Sequence, residues 1–145
     1  MTEHIASGSE RPRSAAARAI RSHRAIALVA TGLIAAAGVL HLILVPEYLA
    51  EAPIIGILFL VSGPLTLGVA WRLWRHEDLA AWVVGTVVAG GMILGFVLSR
   101  TVGLLGYLSD NWAEGVPSLV VEVAFLVAAA VTIPRLLASR RGHAG

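Results

Sequence analysis

The chain has 145 residues, 57% of them hydrophobic with glycine left out of the count, and only 14% charged. Mean hydropathy is +0.81, whereas soluble domains hold about 45–50% apolar residues with glycine included and about 25% charged ones; an ordinary soluble domain is excluded. Without cysteine there is no disulfide, zinc ribbon, iron–sulfur cluster or thiol nucleophile, and the net charge of +2 comes from arginines scattered around apolar segments. No aromatic-interleaved basic face exists, so nucleic acid is not an expected partner.

In chain order, residues 1–23 are rich in Ser, Ala and Arg and read as a mobile basic cytoplasmic arm. Its stretch from Ser14 to Arg24 is suited to lie as a basic helix on anionic lipid, although fixing topology is sufficient reason for its arginines. A four-helix transmembrane domain follows over 24–138, with helices expected at about 25–46, 52–72, 79–100 and 117–136, and a short cytoplasmic tail at 139–145. Each run approaches the roughly 20 residues that span a hydrocarbon core of about 30 Å. Such uniformly apolar runs do not alternate as barrel strands do, so the backbone must close its hydrogen bonds as helices. The expected fold is therefore an all-α membrane protein, an up-down-up-down antiparallel bundle with short connections. The first span is too long for a signal-peptide core and reads as a retained anchor.

Orientation follows from arginine. Arg11, Arg13, Arg18, Arg21 and Arg24 precede the first span, Arg72 and Arg75 lie between the second and third, and Arg135, Arg140 and Arg141 end the chain. Arg100 alone falls on the other side, which puts both termini in the cytoplasm of a bacterial membrane. Trp71, Trp74 and Trp82 are expected at the inner interface, and Tyr48, Tyr107 and Trp112 at the outer one. Asp78 is placed to cap the third helix. Small residues at four-residue spacing (Gly32 and Ala36; Gly85 and Ala89; Gly91 and Gly95) suit close helix packing or a homo-oligomer. Gly56 and Gly63 are seven apart on the second helix. Pro64 should kink that helix and free a carbonyl near Leu60, with Ser62 and Thr66 close enough to help satisfy it.

Ionisable residues inside apolar spans mark candidate sites. His41 lies 17 residues beyond Arg24 and Glu122 lies 13 before Arg135, so both reach the outer leaflet at 1.5 Å per residue. Arg100 stands at the outer edge, with Glu47, Tyr48 and Thr101 just above. The expected core of this cluster is an Arg100–Glu122 ion pair with His41 nearby. The leading reading is a structural or accessory membrane component. The alternative is a site for a lipid-soluble small molecule, a quinone headgroup or an ion, open to the outside, with His41 and Glu122 proton-active. A metal is a remoter option through His41, Glu47 and Glu122, since no two of them share a recognised ligand spacing. No cofactor is expected: a lone membrane histidine makes no bis-histidine haem site. No catalytic motif of the G-x-S-x-G, H-E-x-x-H or phosphate-loop kind is present.

The strings His41-Leu42-Ile43-Leu44-Val45-Pro46-Glu47 and Ser99-Arg100-Thr101-Val102-Gly103, together with Glu122 and the four spans, give the chain a likeness. It resembles the small, functionally uncharacterised four-helix integral membrane proteins of high-GC Gram-positive bacteria, over roughly Arg24 to Ala138. The resemblance implies fold and location and carries no activity. Small multidrug transporters share four helices and one membrane carboxylate, but here that acid sits in the fourth helix.

Overall fold

The computed structural model describes residues 10–113 and 115–142, with side chains from residue 21 onward. The described residues form four helices: α1 (Glu10–Glu51), α2 (Pro53–His76), α3 (Leu79–Thr101) and α4 (Val116–Gly142). All four are long and apolar enough to cross a membrane, α1 from Arg21 onward. Around the molecule α1 packs on α2 and α4, and α3 on α2 and α4, with α1–α2 the most extensive contact and α2–α3 the least.

Several boundaries differ from the sequence reading. The expected arm is helical from Glu10 and continuous with the first span, because Ala and Arg are strong helix formers; residues 1–9 lie outside the described part. The expected outer turn from Glu47 shrinks to Ala52 alone. Helix α1 carries Pro46 within it and ends at Glu51, and Pro53 opens α2. A residue preceding proline is driven out of the helical region, and Ala52 stands outside it at φ −143°, ψ 77°. Its N–H donates to the Tyr48 carbonyl and its own carbonyl accepts from Gly56, so the corner loses little hydrogen bonding. Pro134 likewise lies inside α4, which continues through the expected tail to Gly142.

Close approach of α1 and α2 follows from three glycines. A Cβ on Gly56 would sit 2.5 Å from the Leu49 nitrogen, one on Gly63 2.6 Å from Leu42 Cγ, and one on Gly38 2.5 Å from Thr66 Oγ1. Gly85 makes the matching room on α3, where a Cβ would meet the Phe125 ring and Val69, and Ala89 beside it is fully buried. The other predicted glycines show no such close approach within this chain. Gly32 has nothing within 4 Å of a built Cβ, and neither has Gly91. Helix α2 runs unbroken through Pro64. The Ser62 hydroxyl donates to Phe59 O (3.3 Å), and the Thr66 hydroxyl lies 2.9 Å from Ser62 O and 2.8 Å from Gly63 O. The polar side chains thus satisfy neighbouring carbonyls rather than that of Leu60.

The tightest core is built from Ala27, Ala30 and Ile34 of α1, Ala70 and Leu73 of α2, Trp82 and Ala89 of α3, and Phe125 and Ala129 of α4. Trp82, expected at the interface, is fully buried there because its face of α3 turns inward, and its ring stacks on Phe125 at 5.8 Å. Trp71 and Trp74 are half-exposed, and the Arg75 guanidinium lies over both rings at 5.3 and 5.8 Å. Asp78 does cap α3, accepting from Ala81 N at 2.8 Å, and Arg72 bonds the same carboxylate at 2.7–3.2 Å.

Candidate functional site

The core fills only part of the molecule. The C-terminal halves of α1 and α3 and the N-terminal halves of α2 and α4 surround a cavity of about 290 Å³. Two glycines account for part of its wall. On α3, Gly91 and Gly95 leave the wall without side chains, and on α2 the lining residues Ser62 and Leu65 flank Pro64. Its most exposed apolar lining residues are Leu58, Val61 and Leu65 of α2 and Val87 of α3, which points to a mouth between these two loosely packed helices. These side chains are apolar and face outward, so the opening meets whatever surrounds the helices laterally.

The blind end is polar. His41 (5% exposed), Ser99 (5%), Arg100 (9%) and Glu122 (2%) are all buried and all line the cavity, together with Ser118. Each is oriented by a bond to its own element. His41 Nδ1 lies 2.8 Å from the carbonyl of Ala37, one turn earlier. A carbonyl only accepts, so this nitrogen carries a proton and donates. Nε2 is thereby turned toward Glu122, 3.9 Å from Oε1. The Ser118 hydroxyl, four residues before Glu122 on α4, donates to the same Oε1 at 2.6 Å. Arg100 Nε donates to the carbonyl of Asn111 (3.0 Å) and its Nη1 to Ser99 Oγ (2.9 Å), while its guanidinium lies 4.9 Å from the Phe96 ring centre.

The expected cluster is therefore assembled with different partners. Among the described residues Glu122 pairs with His41, and no Arg100–Glu122 ion pair is formed. Arg100 instead ties the end of α3 to the connection leading into α4. Tyr48 lines the cavity, buried against Phe59 (ring centres 4.8 Å) and Tyr107 (5.8 Å). Glu47 and Thr101 do not belong: both are exposed, and the Thr101 hydroxyl donates to Val97 O. Glu47 is one residue from Tyr48, and neighbouring helical positions point about 100° apart. The set His41, Glu47 and Glu122 is not gathered, and among the described residues no group of three metal-ligating side chains forms.

Sequence reasoning missed the aromatic wall of Phe59 and Phe96 and the two serines. Phe59 meets His41 edge-to-face at 4.7 Å. Ser118 was within reach, since a serine four residues before a membrane carboxylate shares its helix face. Phe59 is placed only by the fold of α2 onto α1. Comparison with known families, curated proteins and solved structures finds no match.

Proposed function

We propose that this is an integral protein of a bacterial cytoplasmic membrane that binds a lipid-soluble small molecule in the cavity between α2 and α3. The single observation carrying the reading is the shape of that cavity, an apolar lateral mouth leading to a buried polar end. A membrane-dissolved amphiphile entering sideways keeps its tail in hydrocarbon and brings its head to His41, Ser118 and Glu122. Ligand sites of this kind are mostly apolar with a few convergent polar groups. A cluster serving only to lock helices would be expected to close on itself. Here His41 and Glu122 stay 3.9 Å apart, too far for a hydrogen bond.

The orientation proposed is up-down-up-down with both termini cytoplasmic, which opens the cavity within the outer leaflet. Supporting it, Leu49, Leu42 and Gly38 of α1 meet Gly56, Gly63 and Thr66 of α2 in opposite order. Ten of eleven arginines also fall on the expected inner side. The binding reading is tested by native mass spectrometry of protein released in mild detergent. A retained small molecule is expected in the wild type and absent from Gly91→Leu, whose side chain would enter the open space at the mouth. Wild-type protein that carries nothing, and that takes up no added amphiphile, would refute it.

A further inference from the structure

The binding reading above leaves the head group of the occupant open, and the polar end narrows it. His41 and Glu122 face each other across 3.9 Å. One oxygen atom placed about 2.8 Å from both would bridge them with ordinary hydrogen-bond lengths. With one proton shared between them, the pair has two arrangements. With neutral imidazole, Nε2 accepts and the carboxylic acid donates; with imidazolium, Nε2 donates and the carboxylate accepts. In both, the bridging atom must donate once and accept once. A hydroxyl does that, whereas a carbonyl oxygen satisfies one partner and leaves the other buried and unpaired.

The walls narrow the class further. Tyr48, Phe59 and Phe96 line the cavity, and aromatic walls favour a flat ring through stacked or edge-on contact. On α3, Gly91 and Gly95 leave part of the wall without side chains, room for a flat group to slide in. At about 290 Å³ the space is near the lower limit for ligand pockets, enough for one ring with its tail outside.

We propose that the occupant is a tailed aromatic alcohol of the hydroquinone type, whose ring hydroxyl bridges His41 Nε2 and Glu122 Oε1 while its tail leaves between α2 and α3. This rests on the binding reading and adds the head group and its two partners. The oxidised quinone enters the same cavity with one fewer satisfied partner. A lost hydrogen bond of this kind is worth about 0.5–1.5 kcal/mol, so the quinone should bind roughly two- to tenfold more weakly.

The test is equilibrium binding to the full chain in lipid nanodiscs, kept anaerobic, with four probes: decyl-benzohydroquinone, decyl-benzoquinone, decanol and decylbenzene. The hydroquinone is expected to bind tightest, and Glu122→Leu and His41→Phe, each of which removes one partner of the bridge, should each weaken it about tenfold while leaving decylbenzene unchanged. Unchanged decylbenzene affinity also reports that the variants are folded. Equal binding of all four probes, insensitive to both variants but lost in Gly91→Leu, would overturn the head-group assignment and leave the cavity reading standing. Decanol binding as tightly as the hydroquinone, with the same sensitivity, would overturn the ring and keep the hydroxyl. No saturable binding of any probe would overturn both readings.

Discussion

At the scale of single residues, charge inside an apolar chain is conspicuous, and His41, Arg100 and Glu122 could be picked out without coordinates. Their pairing could not. Which way a side chain leaves a helix depends on the rotation of that helix about its axis, and one position of error turns it through about 100°. Hence Glu47 faces outward while Tyr48 faces in, and Arg100 bonds Asn111 and Ser99 rather than Glu122. Asp78 was legible because a helix cap is local. Its carboxylate is held below the usual carboxylate range first by the hydrogen bond from Arg72, and also by the Ala81 amide and nearby positive charge. Since the folded value is depressed, the stabilisation is complete above the ordinary carboxylate range and fades as pH falls through the lowered value. Asp78→Ala should cost about 1 kcal/mol by loss of the cap. Denaturant titration in detergent would check both: at neutral pH the variant should be the less stable, and on acidification the gap should close.

At the scale of elements, four runs of apolar residues imposed four helices, and the coarse spans were readable from length alone. The ends were less so: the first helix was expected to stop at about 46 and a tail to begin at 139, whereas α1 runs to Glu51 and α4 to Gly142. In helices surrounded by apolar neighbours Pro46, Pro64 and Pro134 are all carried through, each costing one backbone bond that neighbouring groups offset. Pro53 coincides with the break between α1 and α2, and there it acts on Ala52 before it. The glycines divide in a way that spacing did not reveal. Gly56→Ala would press a methyl against the Leu49 backbone, which cannot move without parting α1 from α2; overpacking of this kind costs about 1–3 kcal/mol. Gly32→Ala meets open space and should be neutral or up to about 1 kcal/mol stabilising, through helix propensity. Unfolding of the two variants side by side would separate them, and an equal effect would show that the α1–α2 contact is not set by Gly56.

At the scale of the whole molecule, one end of the four-helix assembly is filled, and the other holds the cavity beside a smaller cluster of Tyr48, Ala52 and Ile55. Ala, Leu and the stacked Trp82–Phe125 pair close the core end, while Gly91 and Gly95 leave space at the other. The proposed orientation puts the filled end at the cytoplasm. Because the chain has no cysteine, it can be mapped with single introduced thiols at exposed positions. Asp110→Cys should react with a membrane-impermeant maleimide added to intact cells. Ser139→Cys should react only after the membrane is opened. The reverse pattern would invert the assignment and place the cavity in the inner leaflet.

The apolar runs by themselves determined four helices long enough to cross a membrane, because a backbone in hydrocarbon closes its hydrogen bonds as helices or as a barrel, and these runs do not alternate as barrel strands do. They also pointed to the side chains worth examining, because an ionisable group among apolar residues is costly to keep. Only the tertiary structure decided that those groups surround a space. A cavity is a property of several helices at once: it depends on rotation, on where glycine lets backbones approach, and on which interface stays open. None of these is encoded in any one segment.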